Sequence, residues 1–382
     1  MLVPLRLIGA AAVMVVAIPP QPAWGIPYFA RRYGVTCQQC HVTPPKLNAF
    51  GEAFVANGYA MSGLSARRTI PLALWVSGRS ESLPGLTGDQ ADDVRAYLNR
   101  VELISGGKLV APWLSYFVEW RPVSQESRSD GTLRDRAGRF EDLFVTAVRG
   151  PAELTVGQFR QIAQVDVSRR LGLSEPLALG SGLPGIGGGT ARERGLRGFS
   201  PAGRSPAVRA GWNRTLAGDW RWSTTAGLPV AGELSIPLTD EARVEASNEI
   251  EWRPKGVVVE SFVRRGIASF GGHAFYDDGD RFLVNLVTTG ERLSLHWTAV
   301  AGALKSGEVT RGQWSLETEY LPSYFVGIGG RVEDRAADGA EVAFLPYLNA
   351  HFPGTSYTVR LTVERRFQRG RNATLVELGT VF

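Results

Sequence analysis

The sequence predicts an all-β transmembrane barrel of about sixteen antiparallel strands, with a small N-terminal α-helical segment at or inside its lumen. Three observations carry that reading. From about residue 70 onward the hydropathy alternates with period two. Short and long connections then alternate along the chain. The chain also closes on one more alternating segment, Ala373-Thr374-Leu375-Val376-Glu377-Leu378-Gly379-Thr380-Val381-Phe382.

The alternation is plain in several places. Tyr357, Val359, Leu361 and Val363 alternate with Thr358, Arg360, Thr362 and Glu364. Leu293, Leu295, Trp297 and Ala299 alternate with Ser294, His296 and Thr298, and Leu114, Tyr116, Val118 and Trp120 with Ser115, Phe117 and Glu119. Period two marks strands with one apolar and one polar face. A β-sandwich would turn the apolar face to a core, whereas a membrane barrel turns it to lipid and keeps the polar face in its lumen. Segments of ten or more residues suit tilted membrane strands. Trp120, Trp297, Trp314, Tyr320 and Tyr357 fall on the apolar face, where interfacial girdles belong. A final alternating strand ending in phenylalanine resembles the C-terminal signature of bacterial outer-membrane barrels.

The connections support the count. Short turns read at 106–108, 149–151, 217–218, 253–256, 289–290, 322–323 and 352–354, each rich in glycine, proline or small polar residues. Longer connections fall near 81–92, 122–138, 161–204, 230–245, 266–279, 304–310, 333–340 and 367–370. Short periplasmic turns and long outer loops are the asymmetry of such barrels, and an even strand number puts both termini in the periplasm. The connection 161–204, with Gly187-Gly188-Gly189, lacks the strand, spacing and lysine of a phosphate-binding loop. It reads as an outer loop or an inward-folded constriction. Arg192, Arg194 and Arg197 there are pore-mouth or solvated charges.

The remaining composition narrows the class. A formal charge of +5, with arginines spread along the chain, argues against nucleic-acid binding. Residues 1–25 read as a signal peptide: Arg6 is followed by an apolar run, 7–18, too short to span a bilayer, and by Ala23-Trp24-Gly25 before Ile26. The expected organisation is a signal peptide at 1–25, a haem-bearing segment at 26–68 and a barrel at 69–382.

That middle segment holds the chain's two cysteines, Cys37 and Cys40, with His41 directly after them. Cys-x-x-Cys-His is the attachment pattern of a c-type haem. Each thiol adds to one vinyl group, and the next residue comes to lie under the iron, where His41 supplies an imidazole nitrogen. A redox disulfide would want a strand–helix–strand context, and a zinc site would want further ligands nearby. One covalent haem c is therefore expected. After the motif, Leu47, Phe50 and Phe54 share one face of a helix that starts near Pro44-Pro45 and stops near Gly58. Met61, the one methionine left once the signal is removed, is the candidate distal ligand of the haem iron, with a surface or packing role as its default. His273, His296, His351, Lys46 and an open position are competitors.

Phe29-Ala30-Arg31, Gly34, the Cys-x-x-Cys-His, Pro45, Leu47-Asn48-Ala49-Phe50-Gly51, Phe54 and Gly58-Tyr59 together resemble the fused cytochrome–porin family of bacterial outer membranes. The best-known members of that family are outer-membrane iron(II) oxidases. The resemblance implies a monohaem domain at or inside the periplasmic mouth of the barrel, with Cys37, Cys40 and His41 as its haem-binding positions. It implies electron transfer from an extracellular donor, iron(II) in the first place, to a periplasmic cytochrome, and a lumen that is plugged. Glu102, Glu119, Glu317 and Glu319 are lumen-facing acids that attract ferrous ions or pair with Arg100, Arg121 or Arg360. Two other functions stay open: a passive porin with a haem-bearing plug, and a periplasmic electron carrier anchored by a barrel.

Overall fold

The computed structural model describes residues 27–61, 70–82, 94–127, 133–162, 169–174, 203–249, 251–276, 281–306, 309–334, 342–353, 357–367 and 372–382. The expected signal peptide lies outside the described residues, as do the glycine run and Arg192, Arg194 and Arg197.

Sixteen antiparallel strands close into one barrel. In chain order they are β1 Ala73–Ser82, β2 Val94–Lys108, β3 Leu114–Ser127, β4 Arg139–Arg149, β5 Ala152–Arg160 and β6 Arg204–Thr215. Then follow β7 Arg221–Ala231, β8 Val257–Arg265, β9 Ala268–Tyr276, β10 Arg281–Arg292 and β11 Leu295–Ser306. The last five are β12 Val309–Ser323, β13 Val326–Asp334, β14 Val342–Pro353, β15 Thr358–Arg366 and β16 Ala373–Val381. Each strand pairs with its sequence neighbour, and β16 pairs with β1 from Val381↔Trp75 to Thr374↔Ser82, so no edge is left open. Short spurs, Leu133–Asp135 and Glu251–Pro254, extend β3 and β7 beyond the barrel.

The two faces of the wall settle barrel against sandwich. On β12, Trp314, Leu316 and Tyr320 are 40–51% exposed on the outside, while Ser315, Glu317 and Glu319 between them are 3–6% exposed. Elsewhere the outer face carries Leu154, Val156, Trp212, Leu286 and Ile328, and the buried positions are Glu102, Asn285, Arg331, Glu333 and Glu377. A polar interior with an apolar exterior is the reverse of a soluble core. Inside, the charges neutralise one another. Arg121 reaches Glu102 at 2.7 Å and Glu141 at 2.8 Å, Arg204 reaches Glu141 at 2.6 Å, and Arg79 reaches Glu377 at 2.6 Å.

One expected hairpin moves by a strand. The sequence suggests a short turn at 253–256 and a long connection at 266–279. Instead, helix Asp240–Glu249 lies between the end of β7 at Ala231 and the start of β8 at Val257, the short turn is Gly266-Ile267, and β9 ends at Tyr276 with β10 beginning at Arg281. Residues 246–252, expected as strand, contain the end of that helix and the start of the spur, whose Arg253-Pro254 resembles a turn. β9 is hard to see because Gly271 and Gly272 break its apolar alternation. Three other turns slide outward: Gly106-Gly107-Lys108 lies within β2, Thr289-Gly290 within β10 and Pro322-Ser323 at the end of β12.

Candidate functional site

Residues 27–61 sit within the barrel, against the short-turn ends of its strands. They form helices α1 Pro27–Tyr33, α2 Cys37–Cys40 and α3 Ala49–Ala56, with a small hairpin pairing His41–Thr43 to Lys46–Leu47. α2 is a single turn, so Cys37 and Cys40 share one side of it and His41 leaves it in extended geometry. The two cysteines are free thiols. Burial pushes both thiols up, Cys40 to about 11, so both are protonated near neutral pH.

The helix expected from Pro44-Pro45 begins later. The prolines make the hairpin turn, Asn48 caps α3 by accepting the Gly51 N–H at 2.9 Å, and Leu47 stays outside the helix. Phe54 is buried as expected, but Phe50 is exposed. Gly51 explains how closely α3 approaches α2. A Cβ placed there would lie 2.2 Å from the Cys40 carbonyl oxygen, so no larger residue fits without moving the Cys-Cys-His turn.

His41 donates through Nδ1 to the Pro45 carbonyl at 3.1 Å. Burial holds its pKa down at about 4, so the imidazole is neutral at neutral pH, with its proton on Nδ1 and its lone pair on Nε2. That bond is the orienting partner a metal-bound histidine characteristically has.

Cys37, Cys40 and His41 line one cavity of about 390 Å³. Phe29, Leu47, Phe54, Tyr59, Met61 and Phe117 give it an apolar lining. Part of that lining is an aromatic row. Phe29 stacks on Tyr59 at 5.5 Å, Tyr59 on Phe117 at 5.0 Å, and Phe117 meets Phe144 at 5.8 Å. The barrel contributes Trp75, His351, Thr358 and Val381 from the short-turn ends of β1, β14, β15 and β16, and Arg160 and Arg204 from the long-connection ends of β5 and β6. The cavity therefore runs along the lumen rather than sitting at one rim.

Met61 lies at the cavity, packed with Tyr28, Phe29, Phe54, Ala73 and Ile104. The competitor Lys46 is held in an ion pair by Glu319. His273 and His296 face the lumen but do not line the cavity, whereas His351 does. The four lumen acids are all paired: Glu102 with Arg121 and Arg100, Glu119 with Arg204 at 3.6 Å, Glu317 with Arg331 at 3.8 Å, and Glu319 with Lys46. Trp75 and Thr358 line the cavity although the sequence does not single them out as site residues; their inward parity is the available signal.

The described part of connection 161–203 folds inward. Leu171 is buried against Leu321, Tyr347 and Val42. The Leu171 N–H donates to Glu319 at 3.2 Å, the Leu173 N–H donates to Glu364 at 2.8 Å, and Arg331 donates to the Ser174 carbonyl at 3.1 Å. Arg169 pairs with Glu52 of α3 at 2.7 Å, tying this constriction to the cavity segment.

No family model matches the chain, and no curated protein matches it in sequence. Among solved structures, OmpF of Salmonella typhi, in complex with daunomycin, is similar with a TM-score of 0.53 at 9% identity, covering 81% of this chain and 97% of that one. An anion-selective porin of Comamonas acidovorans has a TM-score of 0.49 at 12% identity, covering 81% of this chain and 98% of that one. At 9% identity the first likeness speaks for architecture alone, and it agrees with the strand pairing: the chain is a sixteen-stranded, porin-like β-barrel.

Proposed function

We propose that the chain transfers electrons across a bacterial outer membrane through one haem c, tethered by Cys37 and Cys40 and ligated at its iron by His41. The arrangement of His41 carries this reading. It follows directly on a one-turn pair of thiols, faces a cavity inside a closed barrel, and has its Nδ1 proton engaged so that the Nε2 lone pair is the one available to iron. The cavity's chemistry suits such a group. Its lining is largely apolar, and Arg160, Arg204, Arg209 and Arg360 stand in it beside Glu52, Glu119 and Asp142, so the two carboxylates a haem carries would share cations that already pair with acids of the wall. When bound, the haem supplies one-electron chemistry.

The protein's own part is placement and insulation. The exposed apolar belt suits lipid, and short turns at one end suit the periplasmic side, with both termini periplasmic on this reading. A soluble periplasmic cytochrome would then accept electrons at the short-turn mouth. An extracellular donor, iron(II) first, would approach from the long-connection side. Residues 27–61 and the inward-folded 169–174 occupy the lumen between them, so charge passes where solutes do not.

The test begins with a pyridine haemochrome spectrum on detergent-extracted outer membranes, followed by addition of iron(II) outside intact cells. A c-type spectrum and reduction of the haem by external iron support the proposal. A colourless protein sinks the haem reading, and a haem that external iron never reduces sinks the iron donor. The porin-like barrel favours a second reading, a passive channel with a plug. Large, steady conductance in planar bilayers would support that reading, and its absence would favour electron transfer.

A further inference from the structure

The haem reading gives the iron one protein ligand, and the inference made here rests on that reading. The chain has four histidines. The Nε2 of His273 pairs with Asn285 at 2.9 Å, and that of His296 lies 3.8 Å from the Glu291 carboxylate. His351 differs from both. It is 0% exposed, neither ring nitrogen has a hydrogen-bond partner among the described residues, and it lines the cavity that holds Cys37, Cys40 and His41. Buried polar atoms are almost always satisfied, so an imidazole with neither nitrogen engaged has one free for a ligand.

The ring's setting is rigid. The His351 backbone N–H donates to the Phe325 carbonyl at 2.7 Å, its register partner on β15 is Arg360, and the Tyr324 ring packs edge-on against the imidazole at 5.2 Å. His41 and His351 line the same cavity. Met61 lines the same cavity, but its thioether lies among apolar neighbours and needs no hydrogen bond there.

We propose that His351, from the barrel wall, is the second axial ligand of the iron, so that the haem bridges the N-terminal segment and β14. Two imidazoles make the iron low-spin, and its potential is lower than that of a histidine–methionine pair. Met61 is then packing.

The test uses the full chain purified in detergent, as wild type and as His351→Ala, His351→Met and Met61→Ala variants. A haemochrome assay comes first: a wild type without covalent haem overturns the haem reading and this inference with it. With haem present, the wild type is expected to show a low-spin bis-imidazole electron paramagnetic resonance signal and to lack the far-red band of a methionine–iron(III) bond. His351→Ala should lose the low-spin signal and regain it on addition of imidazole. Met61→Ala should leave spectrum and midpoint potential unchanged, and His351→Met should raise the potential. A low-spin signal that survives His351→Ala, or one lost in Met61→Ala, overturns the assignment while leaving the haem reading intact. Should His351→Ala fail to form a heat-modifiable barrel, His351→Met decides: an unchanged potential rejects His351 as ligand.

Discussion

The segment 27–61 and the barrel around it bury opposite things. The segment hides Tyr28, Phe29, Phe54 and Met61, as a small soluble domain would. The barrel hides Glu102, Arg121, Arg331 and Glu333 and shows its leucines, valines and tryptophans. Outer walls suited to lipid leave the inward positions to polar groups, so the barrel's interior order comes from paired charges. The segment's order comes from a compact apolar cluster and a few close backbone contacts. A change of the same chemical size should therefore act differently in the two regions.

The largest effect is expected at the thiols. On the haem reading, replacing Cys37 and Cys40 together by serine should abolish covalent haem, read as loss of colour that survives denaturation, while the barrel still shows heat-modifiable mobility on a gel. Next comes the charge network. Arg121→Met leaves Glu102 and Glu141 without their shared cation and should destabilise the barrel by about 3–5 kcal/mol, read from denaturant midpoints. The same change in 27–61, at the partly buried Arg32, which the structure pairs with no carboxylate among the described residues, should cost less. If both cost alike, the contrast between the regions is wrong.

Gly51→Ala overpacks the segment against the Cys40 carbonyl and should cost about 1–3 kcal/mol, seen as lowered haem occupancy with an unaltered barrel midpoint. The thiols also give a pH signature. In chain refolded without haem, Cys40 should alkylate slowly near neutral pH and faster as pH rises towards about 11, because the raised pKa keeps the reactive thiolate scarce below it. A rate that levels off by pH 9 would show a solvated thiol and a loosely packed segment. The smallest effect is expected for Glu52→Gln, which removes a partly exposed pair with Arg169 and should cost at most about 1 kcal/mol in segment stability.

Much of this was readable from residues. The Cys-x-x-Cys-His signal is local and chemical, so it needed no fold to be seen. Period two and alternating connection lengths carried the strand number, because lipid outside and water inside impose one rule on every strand. What escaped depended on contacts far apart in sequence. Helix Asp240–Glu249 has no apolar stripe to announce it, and Gly271 and Gly272 blurred β9. The inward course of 169–174 was one of two options, since its anchors, Glu319, Glu364 and Arg331, come from strands remote in the chain. Nothing in the sequence sets His351 apart from the other histidines; the wall places it at the cavity that His41 also lines.

The Arg169–Glu52 pair has a consequence for distance. It joins a connection that starts at the far rim to the helix packed on the Cys-Cys-His turn. On the electron-transfer reading, a donor settling on the outer loops need not face the full thickness of the bilayer. The gap it must bridge is set by how deeply one stretch of chain dips into the cylinder, and a few residues inserted there would retune the rate without touching the haem or the wall.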